Sequence, residues 1–375
     1  MGNQCPISNS EKPRLLGLDV LRFFAISLVI LNHLQLEPAG GSIFTGTLTV
    51  LGRGGWIGVD LFFVLSGFLV SGLLFREYQA TGKVCLGRFL LRRGWRIYPP
   101  FWVMIFFSIL LYDLHVWDGF WGRRFIGEML FLQNYISGFW GPTWSLAVEE
   151  HFYLFLALIF FLLRKFTRHK SDMLHAIPTI FLTTAVICLV LRIHYADTHF
   201  SHEGMPLAIF HQSHFRIDSL MFGVLIAYWW HLKATSVARQ WVERHGQLLV
   251  LAGSVFFVPA FIWVWHETYW MSVYGVMLFY IGAGLMVLGA LCSQTFPGWI
   301  WRQMANLGHH SYSVYLWMDL TCQMIIVPVR MKMGVSWNNG WELAASILLT
   351  WVIGISAAKL FEIPFLKLRQ RFVPA

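Results

Sequence analysis

Apolar residues run along this chain in blocks too long and too continuous to be single faces of soluble helices. A helix crossing about 30 Å of hydrocarbon needs about 20 mostly apolar residues. Ten blocks meet that need: residues 15–34, 55–75, 97–114, 145–163, 176–195, 215–232, 247–265, 271–292, 307–328 and 342–361. The fourth and sixth are interrupted by acidic residues. The pattern predicts an all-α, polytopic membrane protein with about ten transmembrane helices. It divides the chain into an N-terminal segment (1–14), a membrane domain (15–361) and a C-terminal tail (362–375).

The polar stretches between the blocks set the orientation. With the N-terminus inside, 19 of the 28 Lys and Arg fall on inner segments and 7 on outer ones. Cationic residues collect on the cytoplasmic side of membrane proteins, so both termini are expected there. No repeat of fixed period and no Gly/Ser linker divides the chain.

Composition sharpens this picture. Of 375 residues, 57% are hydrophobic and 13% charged, with 19 Trp and 33 Phe. These proportions exclude disorder, a fibrous repeat and an ordinary water-soluble enzyme. The net charge of +9 follows from the inner basic segments, so no nucleic-acid partner is expected. Five widely spaced cysteines without a C-x-x-C suggest neither a disulfide framework nor a zinc site. No small-residue cleavage site follows the first apolar block, so no removable signal peptide is expected. Pro6 stands where a myristoylation signal wants Ser or Thr.

Ionisable side chains inside a span cost roughly 2.5–3.5 kcal/mol on insertion scales and mark candidate sites. The first block holds Asp19, Arg22 and His33. Eleven residues at about 100° each bring Arg22 and His33 to within about 20° of one face, about 16 Å apart along the axis. Asp19 lies one turn below Arg22, where it can pair with it. A packing ion pair and an interfacial histidine are the plain alternatives. The inner loop Arg92-Arg93-Gly94-Trp95-Arg96 suits a phosphate clamp, since guanidinium forks match phosphate oxygens. Its plain alternative is a basic flank against lipid headgroups.

The orientation also places His33, Asp60, Glu149, Arg216 and Asp218 near the outer ends of their spans. Together they form a candidate acid/base layer, although a helix N-terminal carboxylate explains Asp60 equally well. His211-x-x-His214 has no companion carboxylate that completes a zinc motif, so no metal is expected. The small residues of Ser66-Gly67 to Ser71-Gly72 read as close helix packing.

Several of these stretches occur together in a known order. They are Arg22-(ten residues)-His33, Gly58-Val59-Asp60 through Phe68, Arg93-x-x-Arg96-Ile97-x-Pro99, and Trp144-Ser145-Leu146-x-x-Glu149-x-x-Phe152-Tyr153. Phe215-Arg216-x-Asp218-Ser219-Leu220, Ser311-Tyr312-Ser313-x-Tyr315-Leu316 and Glu362-x-Pro364-Phe365 complete the series. From Gly17 to about Leu368 the sequence resembles the acyltransferase-3 family of integral membrane acyltransferases. The resemblance implies ten helices and transfer of an acyl group, usually acetyl from acetyl-CoA, to a hydroxyl of a sugar, polysaccharide or other small molecule. It implies a catalytic His33, with Arg22, Arg93 and Arg96 binding the donor; Asp19, one turn from Arg22, is grouped with these donor-binding residues on its spacing.

Tyr153, Arg216, Asp218 and Ser219 are candidates for acceptor binding or for structure. Trp317-Met318 stands where many relatives have His, so a role for that histidine does not carry over. The sequence stops soon after the tenth block, so the type without an appended hydrolase-like domain is expected. Acyl-CoA enters as donor substrate, with no permanently bound cofactor, and the setting is a bacterial cell membrane rich in lipid contacts. In this scheme His33 takes the acceptor's proton, and Glu149 or Asp60 orients its imidazole. A transporter is the main rival, since intramembrane His, Arg and Glu also mark proton relays. An inverted repeat would favour it, and none is evident.

Overall fold

The computed structural model describes residues 15–34, 43–113, 122–136, 138–166, 170–292, 295–333 and 340–372. The expected N-terminal segment 1–14 lies outside them. Among the described residues the regular structure is helical, and one isolated bridge joins Ser201 to Gly204. In chain order the helices are α1 (Leu16–His33), α2 (Ile43–Gly54), α3 (Gly58–Thr81), α4 (Leu86–Asp113), α5 (Arg123–Met129) and α6 (Trp144–Phe166). There follow α7 (Ile177–His199), α8 (Ala208–His211), α9 (Ser213–Tyr228), α10 (Ser236–Arg244), α11 (Gly246–Val255) and α12 (Val258–Ile262). The last six are α13 (Val276–Ala290), α14 (Trp299–Gly308), α15 (Ser311–Thr321), α16 (Val327–Met333), α17 (Gly340–Ala357) and α18 (Ile363–Phe372).

Every predicted apolar block is helical, but the blocks are not equally suited to crossing a membrane. Among the described residues, seven helical stretches are long and apolar enough. An eighth is α10 joined to α11 and α12 across a 71° bend. The two blocks outside that set are α4 and α9. The first begins with four arginines and contains Pro99 and Pro100. The second buries Arg216 and Asp218. Charges lower the apolar content of both, and both carry candidate site residues.

Glycines let the central helices approach. A Cβ on Gly58 would lie 2.3 Å from the carbonyl oxygen of Ala25, so α3 starts against the backbone of α1. A Cβ on Gly67 would lie 2.0 Å from the Leu220 oxygen, and one on Gly223 2.3 Å from that of Val64. The small residues of α3 therefore seat α9, as the sequence suggested. Large apolar side chains on α6 and α7, among them Leu154, Phe161, Leu182 and Ile187, are exposed, as lipid-facing positions are. Of the described cysteines, Cys188, Cys292 and Cys322 are free.

Candidate active site

Helix α1 carries its two key side chains into two different cavities. Arg22, near its start, lines a cavity of about 100 Å³ together with Arg93 and Arg96 of α4, Glu149 of α6 and Ser66 of α3. His33, the last residue of α1, lines a second cavity of about 370 Å³ with Trp56, Pro142, Trp144, His211 and Trp265. Helical periodicity explains both facts: one face, two depths.

The arginine cavity is held by a polar frame. The Arg22 guanidinium donates to Asp19 Oδ1 at 2.8 Å, as its spacing predicts. The guanidinium of Arg93 lies over the ring of Tyr153, 5.8 Å from its centroid. Glu149 Oε2 accepts from Tyr153 Oη at 2.6 Å and from Ser66 Oγ at 3.1 Å. Helix α4 is tied in on both sides: Tyr98 Oη donates to Glu150 at 2.9 Å, and Tyr312 Oη donates to the Ile97 carbonyl at 2.9 Å. Pro99 and Pro100 supply no N–H to the carbonyls of Trp95 and Arg96, so the backbone is irregular in polarity beside the arginines.

The carboxylate beside His33 comes from α15. Asp319 Oδ1 lies 3.4 Å from His33 Nδ1. Sequence reasoning passed over Asp319, although an acid in an apolar span was a usable signal. Glu149 and Asp60, the expected partners, are elsewhere. Glu149 lines the arginine cavity and not the His33 cavity. Asp60 accepts from Arg216 at 2.6 Å in a fully buried pair, and lines neither cavity. Asp218 pairs in the same way with Arg192 of α7 at 2.8 Å. The expected five-member outer layer is thus divided between the linings of two separate cavities and two internal ion pairs. One-dimensional depth places residues in a layer but cannot say which neighbour neutralises which.

These pairs stand behind the His33 cavity rather than in it. Arg216 lies 4.6 Å over the Phe210 ring and 5.9 Å over that of Trp144, and both rings line the cavity. Ser219 is buried on α9, where its N–H donates to its neighbour Asp218. His211 stacks on Trp144 with centroids 4.8 Å apart. Burial and the nearby Arg216 push its pKa down to about 4, which keeps it neutral. His214 turns away to Tyr135, whose Oη lies 2.9 Å from its Nδ1. The two histidines therefore do not converge, and no cluster of three or more metal-ligating side chains occurs among the described residues.

Comparison with known proteins identifies the family. The model of the Acyltransferase domain family (Acyl_transf_3) matches residues 15–359. A Bacillus subtilis (strain 168) protein named "Putative peptidoglycan O-acetyltransferase" is 27% identical over 321 residues, 80% of this chain and 47% of that one. A "Putative O-acetyltransferase" of Staphylococcus aureus (strain COL) is 27% identical over 333 residues, 80% of this chain and 49% of its own. A "Peptidoglycan O-acetyltransferase" of Listeria monocytogenes is 24% identical over 373 residues, 94% of this chain and 56% of its own. The chain spans about half the length of the curated relatives it matches. No solved structure matches. The match runs from the start of α1 into the last helices and takes in both cavities, and on that ground the chain belongs to the acyltransferase-3 family of membrane acyltransferases.

Proposed function

We propose that the protein is a membrane O-acetyltransferase that moves an acetyl group from acetyl-CoA to a hydroxyl of a carbohydrate acceptor. One observation carries this reading. A single helix places Arg22 in a cavity with two further arginines, and places His33, beside a carboxylate, in the adjoining cavity. The arginines suit the phosphates of a CoA donor. The relatives' names, which speak of peptidoglycan and O-acetylation, support a hydroxylated glycan as acceptor. Their bacterial origin and the apolar helices support a multi-pass protein of a bacterial cell membrane.

In this reading the reaction runs through His33. In this scheme the Asp319 carboxylate, 3.4 Å from Nδ1, keeps the proton on that nitrogen and leaves Nε2 as the basic one. Nε2 takes the proton of the acceptor hydroxyl as its oxygen attacks the thioester carbonyl. The C–S bond then breaks, and the departing thiolate recovers the proton from the imidazolium. The products are an O-acetyl ester and free CoA thiol, and the protein ends unchanged. Glu149, with Ser66 and Tyr153, belongs in this scheme to the donor cavity, where its charge offsets the arginines.

The test is consumption of radiolabelled acetyl-CoA by purified protein supplied with peptidoglycan fragments. Wild type transfers label to the glycan. His33→Ala lowers kcat by about 10²-fold or more, the scale of acid/base assistance, while still binding donor in a thermal-shift assay. Wild-type rates in His33→Ala would sink the mechanism.

A further inference from the structure

The two cavities meet at two side chains. Val59 of α3 and Tyr315 of α15 line both the arginine cavity and the His33 cavity. We propose that these two residues form the throat through which the acyl group reaches His33, and that their bulk selects a slender, unbranched acyl group. This inference rests on the reading of the arginine cavity as the donor site.

Three observations support it. First, Arg22 and His33 are about 16 Å apart along α1, so a donor held at the arginines must extend across the boundary to place its thioester beside His33. Second, α15 follows the same course. Tyr312 lines the arginine cavity, Tyr315 lines both, and Asp319, one turn further, sits against His33. Third, the throat is braced. Tyr315 Oη donates to the Pro142 carbonyl at 2.7 Å and lies 2.6 Å from Ser145 Oγ, while Phe62 packs edge-on against its ring. On the opposite side, the close seating of Gly58 on Ala25 gives Val59 no backbone freedom to retreat toward α1. Interiors of this density respond to a change of one methylene.

The experiment compares acetyl-CoA with isobutyryl-CoA, whose acyl group is branched next to the carbonyl, as donors to the same glycan. The readout is the ratio of their kcat/KM values. Val59→Ala widens the throat and should raise the isobutyryl-to-acetyl ratio about tenfold, the scale of one or two methylenes in a pocket. Val59→Ile should lower it. Tyr315→Phe keeps the ring but releases it from Pro142, and should also raise the ratio. A ratio unchanged across all three variants, with wild type active on acetyl-CoA, overturns the throat. Absence of acyl-CoA turnover in the wild type would instead overturn the donor reading beneath it.

Discussion

A carboxylate 3.4 Å from a histidine in an apolar setting is costly unless the two share a task. If Asp319 acts through His33, Asp319→Asn should lower kcat about 10²-fold and shift the acid limb of the kcat/KM profile, with partial recovery in Asp319→Glu. An unshifted profile would reduce Asp319 to packing. Another acid, Glu128 of α5, answers to pH rather than to substrate. It accepts from Thr143 Oγ1 and from the Phe139 N–H, both at 2.9 Å, and so shapes the turn that delivers Pro142 and Trp144 to the His33 cavity. Burial pushes its pKa up to about 7, and its second oxygen has no partner. A carboxyl whose folded pKa is raised stabilises the fold fully below its unfolded pKa. That contribution, roughly 3 kcal/mol, is lost as pH climbs through about 7. Thermal stability in detergent should therefore fall between pH 5 and pH 8, and Glu128→Gln should flatten that slope. An equal slope in the variant would show that other groups set it.

At the scale of helices, small residues decide how closely α3 lies to α1 and α9. Gly67 meets the Leu220 backbone, which cannot give way as a flexible side-chain end can. Gly67→Ala should cost about 1–3 kcal/mol, as overpacking does, and lower the melting temperature. Gly87, at the start of α4, has open space around its absent Cβ, so Gly87→Ala should be neutral or slightly stabilising. Similar melting temperatures for the two variants would contradict the close seating. The same seating brings Val59 into the wall between the cavities, so α3 shapes the site without supplying a charged group to it. Helix α4 supplies the charge instead. Its Arg93 and Arg96 precede two prolines, and its position is held by Tyr98 and Tyr312 from within the bundle.

For the whole molecule, the distribution of Lys and Arg argues that the turn between α3 and α4, residues 82–85, faces the cytoplasm. A reporter inserted there should register as cytoplasmic, and one near His202 as the opposite side. The reverse result would remove the cytoplasmic route by which acetyl-CoA meets the arginines. It would leave the helix packing untouched.

Much of this architecture was legible in the chain itself. Apolar blocks of about 20 residues have few alternatives to membrane helices, because backbone polar groups in hydrocarbon must be satisfied within the segment. Helical periodicity likewise put Arg22 and His33 on one face and Asp19 beside Arg22, since those relations are local. What tertiary structure alone decided was pairing between helices. Depth counting grouped His33, Asp60, Glu149, Arg216 and Asp218, but azimuth and packing separate them. Asp60 and Asp218 are taken by Arg216 and Arg192, Glu149 turns to the arginine cavity, and Asp319, 286 positions along the chain from His33, stands beside its ring. A buried charge is neutralised by whichever opposite charge the fold brings into reach, and that choice depends on helix neighbours that no local period encodes.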